Sequence, residues 1–314
     1  MSSQGISLAR LLVVVALVAL VASAAVAFAG CGGDDEEARP DLVFVSSRDG
    51  DYSIYEMNAD GGGQGRLTDA ETDSATPEGL FFQVEPAWAS DGKRIAFSSR
   101  RSGSFDIYVM NADGTGTRAL TSTKEDDAHP TWSPDGERIA FARAGPGDIY
   151  VMSADGSGAR RISDPLVQEA EPAWSPDGAW IAYIRRTPGT SVREVWLARP
   201  DGSERHALTS EGAKAYTPAW SPDSGRIVFT SDQDGEVFEL YTVGIDGKGV
   251  RSVTPTAGDL FEPAWSPDGS RIAFSEGGSI FAIDLGGGDV EKLTDNENND
   301  SSPVWNPSPP KEEK

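Results

Sequence analysis

The sequence predicts an all-β protein: a six-bladed β-propeller of four-stranded antiparallel blades, closed by N- and C-terminal strands that share one blade. Three observations predict it. First, a phrase built on tryptophan recurs, as "EPAWASDG" at residues 85–92, "EPAWSPDG" at 171–178 and the same eight letters at 262–269. Second, the repeated tryptophans, Trp88, Trp132, Trp174, Trp220, Trp265 and Trp305, stand 44, 42, 46, 45 and 40 residues apart, which is the length of one propeller blade. Third, the two ends are complementary fragments of that unit. Residues 41–68 carry its later parts without the tryptophan strand, and "SSPVWNPSP" near the C-terminus carries the tryptophan strand with nothing after it.

Four landmarks define the unit, each in a short β-prone run bounded by turn residues. The tryptophan strand comes first, and its large ring is expected to fill the space between neighbouring blades. The second strand carries an aromatic after an aliphatic pair: Phe44, Phe97, Phe141, Tyr183, Phe229 and Phe274. The third carries Tyr55, Tyr108, Tyr150, Trp196, Tyr241 and Phe281. The fourth is an apolar–hydroxyl pair, as in Leu67-Thr68, Leu120-Thr121 and Ile162-Ser163. Between strands, "SPDG" supplies proline and a positive-φ glycine for a tight turn, and "ADG" is a second hairpin signal. "SPDSG" at 221–225 reads as the same turn with one extra residue, and "LGGGD" at 285–289 replaces "ADG". "GGGQG" at 61–65 reads as a turn because a nucleotide loop needs a strand-to-helix context. "SDQDGE" at 231–236 matches only the start of a calcium loop and reads as a hairpin turn. Trp180 and Trp196 are expected in the core.

If residues 303–306 complete the blade that begins at Asp41, the two incomplete ends cancel and six blades close into a ring. Closure also removes the open sheet edge that would invite aggregation. The stretch "PAWASDGKRIAFSSRRSGSFDIYVMNADGTGTRALT", residues 86–121, resembles the repeat of the TolB-like (WD-like) propeller family, "PxWSPDGxxIAFxSxxxGxxxIYVMxxDGxxxRxLT". The resemblance covers residues 41–306 and implies a propeller used as a binding platform. It is to the repeat and not to TolB itself, whose α/β domain has no room between Cys31 and Asp41.

The expected organisation is an export signal at 1–30, a flexible tether at 31–40, the propeller at 41–306 and a polar tail at 307–314. Arg10, the apolar run from Leu11 to Phe28 and the small residues after it form the signal. Phe28-Ala29-Gly30-Cys31 resembles a lipobox, which makes Cys31 the lipidation candidate. Cleavage after Ala27-Phe28-Ala29, or retention of the run as an anchor, are the other two fates. Each places the working part outside the cytoplasm, in the periplasm or at the cell surface; lipidation at Cys31, the expected fate, or an uncleaved signal anchors it to the membrane, whereas cleavage after Ala29 releases it. The chain is expected to be a monomer.

The formal net charge of −23 argues against nucleic acid, which needs a basic footprint, and suits cations or basic partners. One cysteine and two histidines, His129 and His206, exclude an internal disulfide, thiolate clusters and the histidine-rich metal sites of related lyases. No G-x-S-x-G elbow occurs, so the serine-peptidase use of such propellers finds no nucleophile here. No catalytic residues are assigned and no cofactor is expected.

The residues before each proline of the tryptophan strands are Glu85, His129, Glu171, Thr217, Glu262 and Ser302. If that strand is innermost, they ring one mouth of the central channel. Glu85, Glu171 and Glu262 could hold Ca²⁺ through oxygen ligands, bind a basic partner segment, or merely accept backbone hydrogen bonds. Leu80, Phe81 and Phe82 in the long acidic loop at 69–85 are a candidate hot spot, and Tyr216, Leu260 and Phe261 are expected in comparable loops at the same mouth. The expected function is non-enzymatic binding of an envelope protein or small ligand at the acidic mouth. The alternative is a cation-dependent hydrolase or lyase in the channel.

Overall fold

The structure, a computed structural model, describes residues 40–68, 85–144, 147–209, 212, 214–254, 258–295 and 299–307. The signal, Cys31, Leu80, Phe81, Phe82 and the tail from 308 lie outside the described residues. Among the described residues no helix is long and apolar enough to cross a membrane.

Twenty-four strands, numbered along the chain, form six four-stranded antiparallel sheets. Blade one joins both ends, in the order β24 (Asp300–Trp305), β1 (Leu42–Ser46), β2 (Ser53–Met57) and β3 (Gly65–Arg66). Blade two is β4 (Ala87–Trp88), β5 (Arg94–Ser99), β6 (Asp106–Asn111) and β7 (Arg118–Ala119). Blade three is β8 (Asp127–Trp132), β9 (Arg138–Arg143), β10 (Asp148–Ser153) and β11 (Arg160–Arg161). Blade four is β12 (Glu169–Trp174), β13 (Ile181–Arg186), β14 (Arg193–Ala198) and β15 (His206–Ala207). Blade five is β16 (Ala215–Trp220), β17 (Arg226–Ser231), β18 (Glu239–Gly244) and β19 (Arg251–Ser252). Blade six is β20 (Leu260–Trp265), β21 (Arg271–Glu276), β22 (Ser279–Asp284) and β23 (Val290–Lys292). The tryptophan strands β4, β8, β12, β16, β20 and β24 each pack on the next, and β24 packs on β4, so the ring is closed as expected. At the seam Leu42 pairs with Trp305, and the Asn306 amide donates to the Asp41 carbonyl at 2.8 Å.

The repeat landmarks acquire physical roles. The second and third landmarks face each other across one strand pair, as in Phe97 opposite Tyr108 and Phe274 opposite Phe281, with ring centroids 5.8 Å apart in both. Phe44, Phe97, Phe141 and Phe274 are wholly buried, each contributing roughly 1.5–3 kcal/mol. The hydroxyl of the fourth landmark supplies an acceptor that the two- or three-residue outer strand cannot. Thr68, Thr121, Thr209 and Thr294 Oγ1 accept the backbone N–H of Ile54, Ile107, Val195 and Ile280 at 2.9–3.0 Å. Ser163 departs, giving its hydroxyl to Asp148 Oδ1 at 2.8 Å.

Three expectations are corrected. "SPDSG" has no extra residue: Ser224 takes the left-handed position (φ 59°) that Gly136, Gly178 and Gly269 hold, and its Oγ accepts the Asp177 N–H at 3.0 Å. Trp180 and Trp196 are only partly buried: they pack at the edge of core clusters, and arginines, Arg199 and Arg185, stack on their rings at 3.9 and 4.2 Å. Leu260 is fully buried on β20 rather than displayed in a loop.

The tryptophans do more than fill space. Trp132, Trp220 and Trp305 donate Nε1–H to the carbonyls of Ala87, Ala173 and Ala264, each on the inner strand of the preceding blade, at 3.1, 2.9 and 3.1 Å. Trp305→Ala should therefore lower unfolding stability by about 3–5 kcal/mol. The check is the urea midpoint at unchanged slope; a loss below about 1 kcal/mol would remove the seam from the stabilising contacts.

Candidate binding site at the channel mouth

Five of the six inner strands carry a kink at the residue before proline; β4, which follows Glu85, does not. His129, Glu171, Thr217, Glu262 and Ser302 have φ of 54°, 54°, 47°, 56° and 51°, and the register of their strand pairs shifts there. These are β-bulges in a left-handed conformation that costs a side-chain-bearing residue roughly 1–2 kcal/mol. The residue before proline ordinarily stays extended, so the conformation must be held from outside.

Glutamates hold three of these five bulges. Glu85 Oε2 accepts the His129 N–H at 2.6 Å, Glu171 Oε2 that of Thr217 at 2.5 Å, and Glu262 Oε2 that of Ser302 at 2.6 Å. Blades two, four and six thus supply a carboxylate, and blades three, five and one the bulged amide that it clamps. A hydrogen bond to a charged acceptor is worth about 1.5–3 kcal/mol, enough to offset the strain. The tryptophan Nε1–H bonds cross the same three blade junctions, so the ring is built as three pairs of blades.

The three clamps differ at the second carboxylate oxygen. Glu85 Oε1 lies 3.0 Å from His129 Nδ1, and its Oε2 also takes the Ser98 hydroxyl at 3.1 Å. Glu262 Oε1 accepts the Ser302 hydroxyl at 3.0 Å, and Oε2 that of Ser275 at 3.0 Å. Thr217 turns its hydroxyl to Thr230 Oγ1, 3.4 Å away, and gives Glu171 only its amide. Among the described residues Glu171 Oε1 has no hydrogen-bond donor, and Glu171 lines the central cavity.

Electrostatics follow the same geometry. Burial opposes a charged His129, but Glu85 beside it outweighs that, Glu171 and Glu262 add to it, and the pKa rises to about 9. Burial raises the Glu171 pKa, with His129 and the Thr217 amide working against it. All six ring positions line one cavity of about 880 Å³, a size suited to a ligand or a peptide segment. Its rim is partly aromatic: Tyr216 and Phe261, both at the mouth as expected though on strands, are joined through Phe238 at centroid distances of 5.4 and 5.5 Å. Arg193 donates to the Tyr216 hydroxyl and stacks on its ring at 4.6 Å. Sequence reading missed Phe238 and Arg193, which belong to no landmark; only the aromatic inside the turn "DGEVF" was a signal. His206 lies on β15 against Trp180, away from the channel. Among the described residues no three His, Cys, Asp or Glu groups are placed to hold a metal ion, and each ring glutamate faces a different bulge.

The raised pKa of His129 gives stability that is complete below the unfolded value of 6.5 and is lost as pH rises through about 9. Relative to His129→Asn, the wild type should lose roughly 2 kcal/mol across that window. Parallel stability–pH profiles for the two proteins would refute the Glu85–His129 pairing.

Known proteins give a consistent account. A family model described as the TolB β-propeller domain matches residues 78–266 and 170–311. The protein TolB homolog of Chlorobium luteolum is 31% identical over a match covering 33% of this chain and 31% of that protein. The Tol-Pal system protein TolB of Geobacter sulfurreducens is 33% identical, covering 28% of this chain and 18% of its own. The chain thus matches less than a third of the length of these two relatives. The crystal structure of TolB from Acinetobacter baumannii superposes with a TM-score of 0.72 at 21% identity, covering 87% of this chain and 68% of that one, which shows the shared fold. With the family model spanning most of its length and the ring of blades matching in structure, the chain belongs to the TolB β-propeller domain family.

Proposed function

We propose that the protein is a non-enzymatic binding and scaffold propeller that works outside the cytoplasm. It is tethered to the membrane through Cys31 and recognises an envelope protein or small ligand at the acidic channel mouth. One observation carries the reading: of the three clamping glutamates, Glu171 alone keeps a carboxylate oxygen with no donor among the described residues, and Glu171 lines a cavity large enough for a ligand. Glu171 is only partly buried, so that oxygen is open to water until something better donates to it, and a bound ammonium or guanidinium would gain a charge-assisted bond there. The aromatic rim of Tyr216, Phe238 and Phe261 supplies the apolar part of such a surface. Relatives named as proteins of the Tol-Pal system support an envelope protein as the partner class. Leu80, Phe81 and Phe82 remain part of the proposed surface.

Crosslinking capture from native envelopes tests this. Glu171→Gln, whose amide oxygen can still accept the Thr217 N–H but without the charge, should lower the melt no further than Glu262→Gln does, and should lose captured partner by about tenfold or more, the scale of one charge-assisted bond. Glu262→Gln, whose carboxylate is already spent on Ser302 and Ser275, should lose stability and keep its capture. Undiminished capture by Glu171→Gln would return all three glutamates to a purely structural role.

A further inference from the structure

Away from the channel, the interface of blades three and four buries a charged cluster that the binding site does not use. Glu169 opens β12 and is 1% exposed. Its Oε2 accepts the Asp164 N–H at 3.3 Å, while Oε1 stands 3.7 Å from Arg185 Nη1 with no hydrogen bond. The Tyr183 hydroxyl and Arg205 Nε border the same narrow gap and also lack partners. Blade three faces the gap with Ile149, Ile162 and Ser163, and its nearby Asp148 is already held by Ser163 Oγ at 2.8 Å and Arg161 Nη1 at 3.2 Å.

Sister blades show what is unusual. Asp127 and Asp300 begin β8 and β24 as Glu169 begins β12, and each bonds its arginine through both oxygens: Arg143 at 2.6 and 2.9 Å, Arg48 at 3.3 and 3.4 Å. Glu169, one methylene longer, does not reach that geometry. Burial therefore dominates, over the Asp164 amide, Arg205 and Arg185, and raises its pKa to about 7. Arg185 is meanwhile shared: its Nη2 lies 3.7 Å from Asp164 Oδ2. Asp164 anchors the loop at 163–168, accepting the N–H of Leu166, which is 86% exposed.

We propose that Glu169, Arg185 and Asp164 form a proton-operated latch on the loop at 163–168, with Arg205 and Tyr183 as the donors awaiting the ionised carboxylate. With Glu169 neutral, Arg185 is left to Asp164 and the loop is held. When the carboxyl proton leaves to water, the new charge draws Arg185 and Arg205 Nε and keeps the Asp164 N–H on Oε2, while the Asp164 side chain loses its share of the guanidinium, and the loop beyond Asp164 loosens. That loop leads directly into β12, whose first residue lies two ahead of Glu171, so the latch controls how the exposed Leu166 is presented.

Hydrogen exchange of the whole chain tests it, as protection factors corrected for intrinsic rate. The amides of Leu166 and Val167, which Asp164 holds, should lose protection about tenfold between pH 6 and pH 8 in the wild type, while Glu169→Gln should keep the pH 6 value throughout. Flat protection in the wild type, or a fall that persists in Glu169→Gln, would overturn the latch. Should that variant misfold, carboxyl ¹³C titration of Glu169 in the wild type decides: a midpoint near 7 supports the latch, and one near the ordinary 4.5 refutes it.

Discussion

The carboxylate that reaches from one blade to the bulged amide of the next is the interaction on which the rest of this ring depends. A propeller must turn its inner strands sharply where they meet the channel, and this chain turns five of its six with left-handed residues that are not glycine. Such a conformation survives only where a strong external partner makes the alternative worse. The glutamates of blades two, four and six supply that partner to three of the five at the point where neighbouring blades touch, so strain relief and blade-to-blade cohesion come from the same bonds.

Because the clamps join alternate blades, the apparent sixfold repeat is a threefold repeat of pairs. Charge alternates with it: carboxylates on one set of blades, and an imidazole or hydroxyls on the other. The threefold pattern is broken once, at Thr217, whose hydroxyl leaves Glu171 half satisfied. Recognition surfaces commonly arise in this way, where one copy of a structural device drops a contact that its siblings keep.

The fold was legible because it is written six times. Tryptophan spacing, paired aromatics and complementary termini each led to the same ring, and the closure through residues 303–306 follows from counting alone. The site was only half legible. The order Glu, His, Glu, Thr, Glu, Ser at the ring positions is visible in the sequence, but its meaning requires the bulge, and a residue before proline gives no hint of positive φ. The hydroxyl of the fourth landmark recurred without showing that it completes a strand too short to bond its neighbour. The Glu169 cluster was hidden for another reason: "EAEP" and "DAHP" read alike, and the single methylene that separates them decides whether an arginine can be grasped.

Blade one has a consequence for timing. Its innermost strand is the last to be made and its other three are the first, so Leu42 waits for Trp305 through almost the whole length of the chain. Until then β1 has a bare edge and the ring has a gap beside blade two. Loop closure over so long a span is slow but costs little more than over half of it. A chain built in this way stays an open string of blades throughout its synthesis and becomes a closed ring only once β24 has been made.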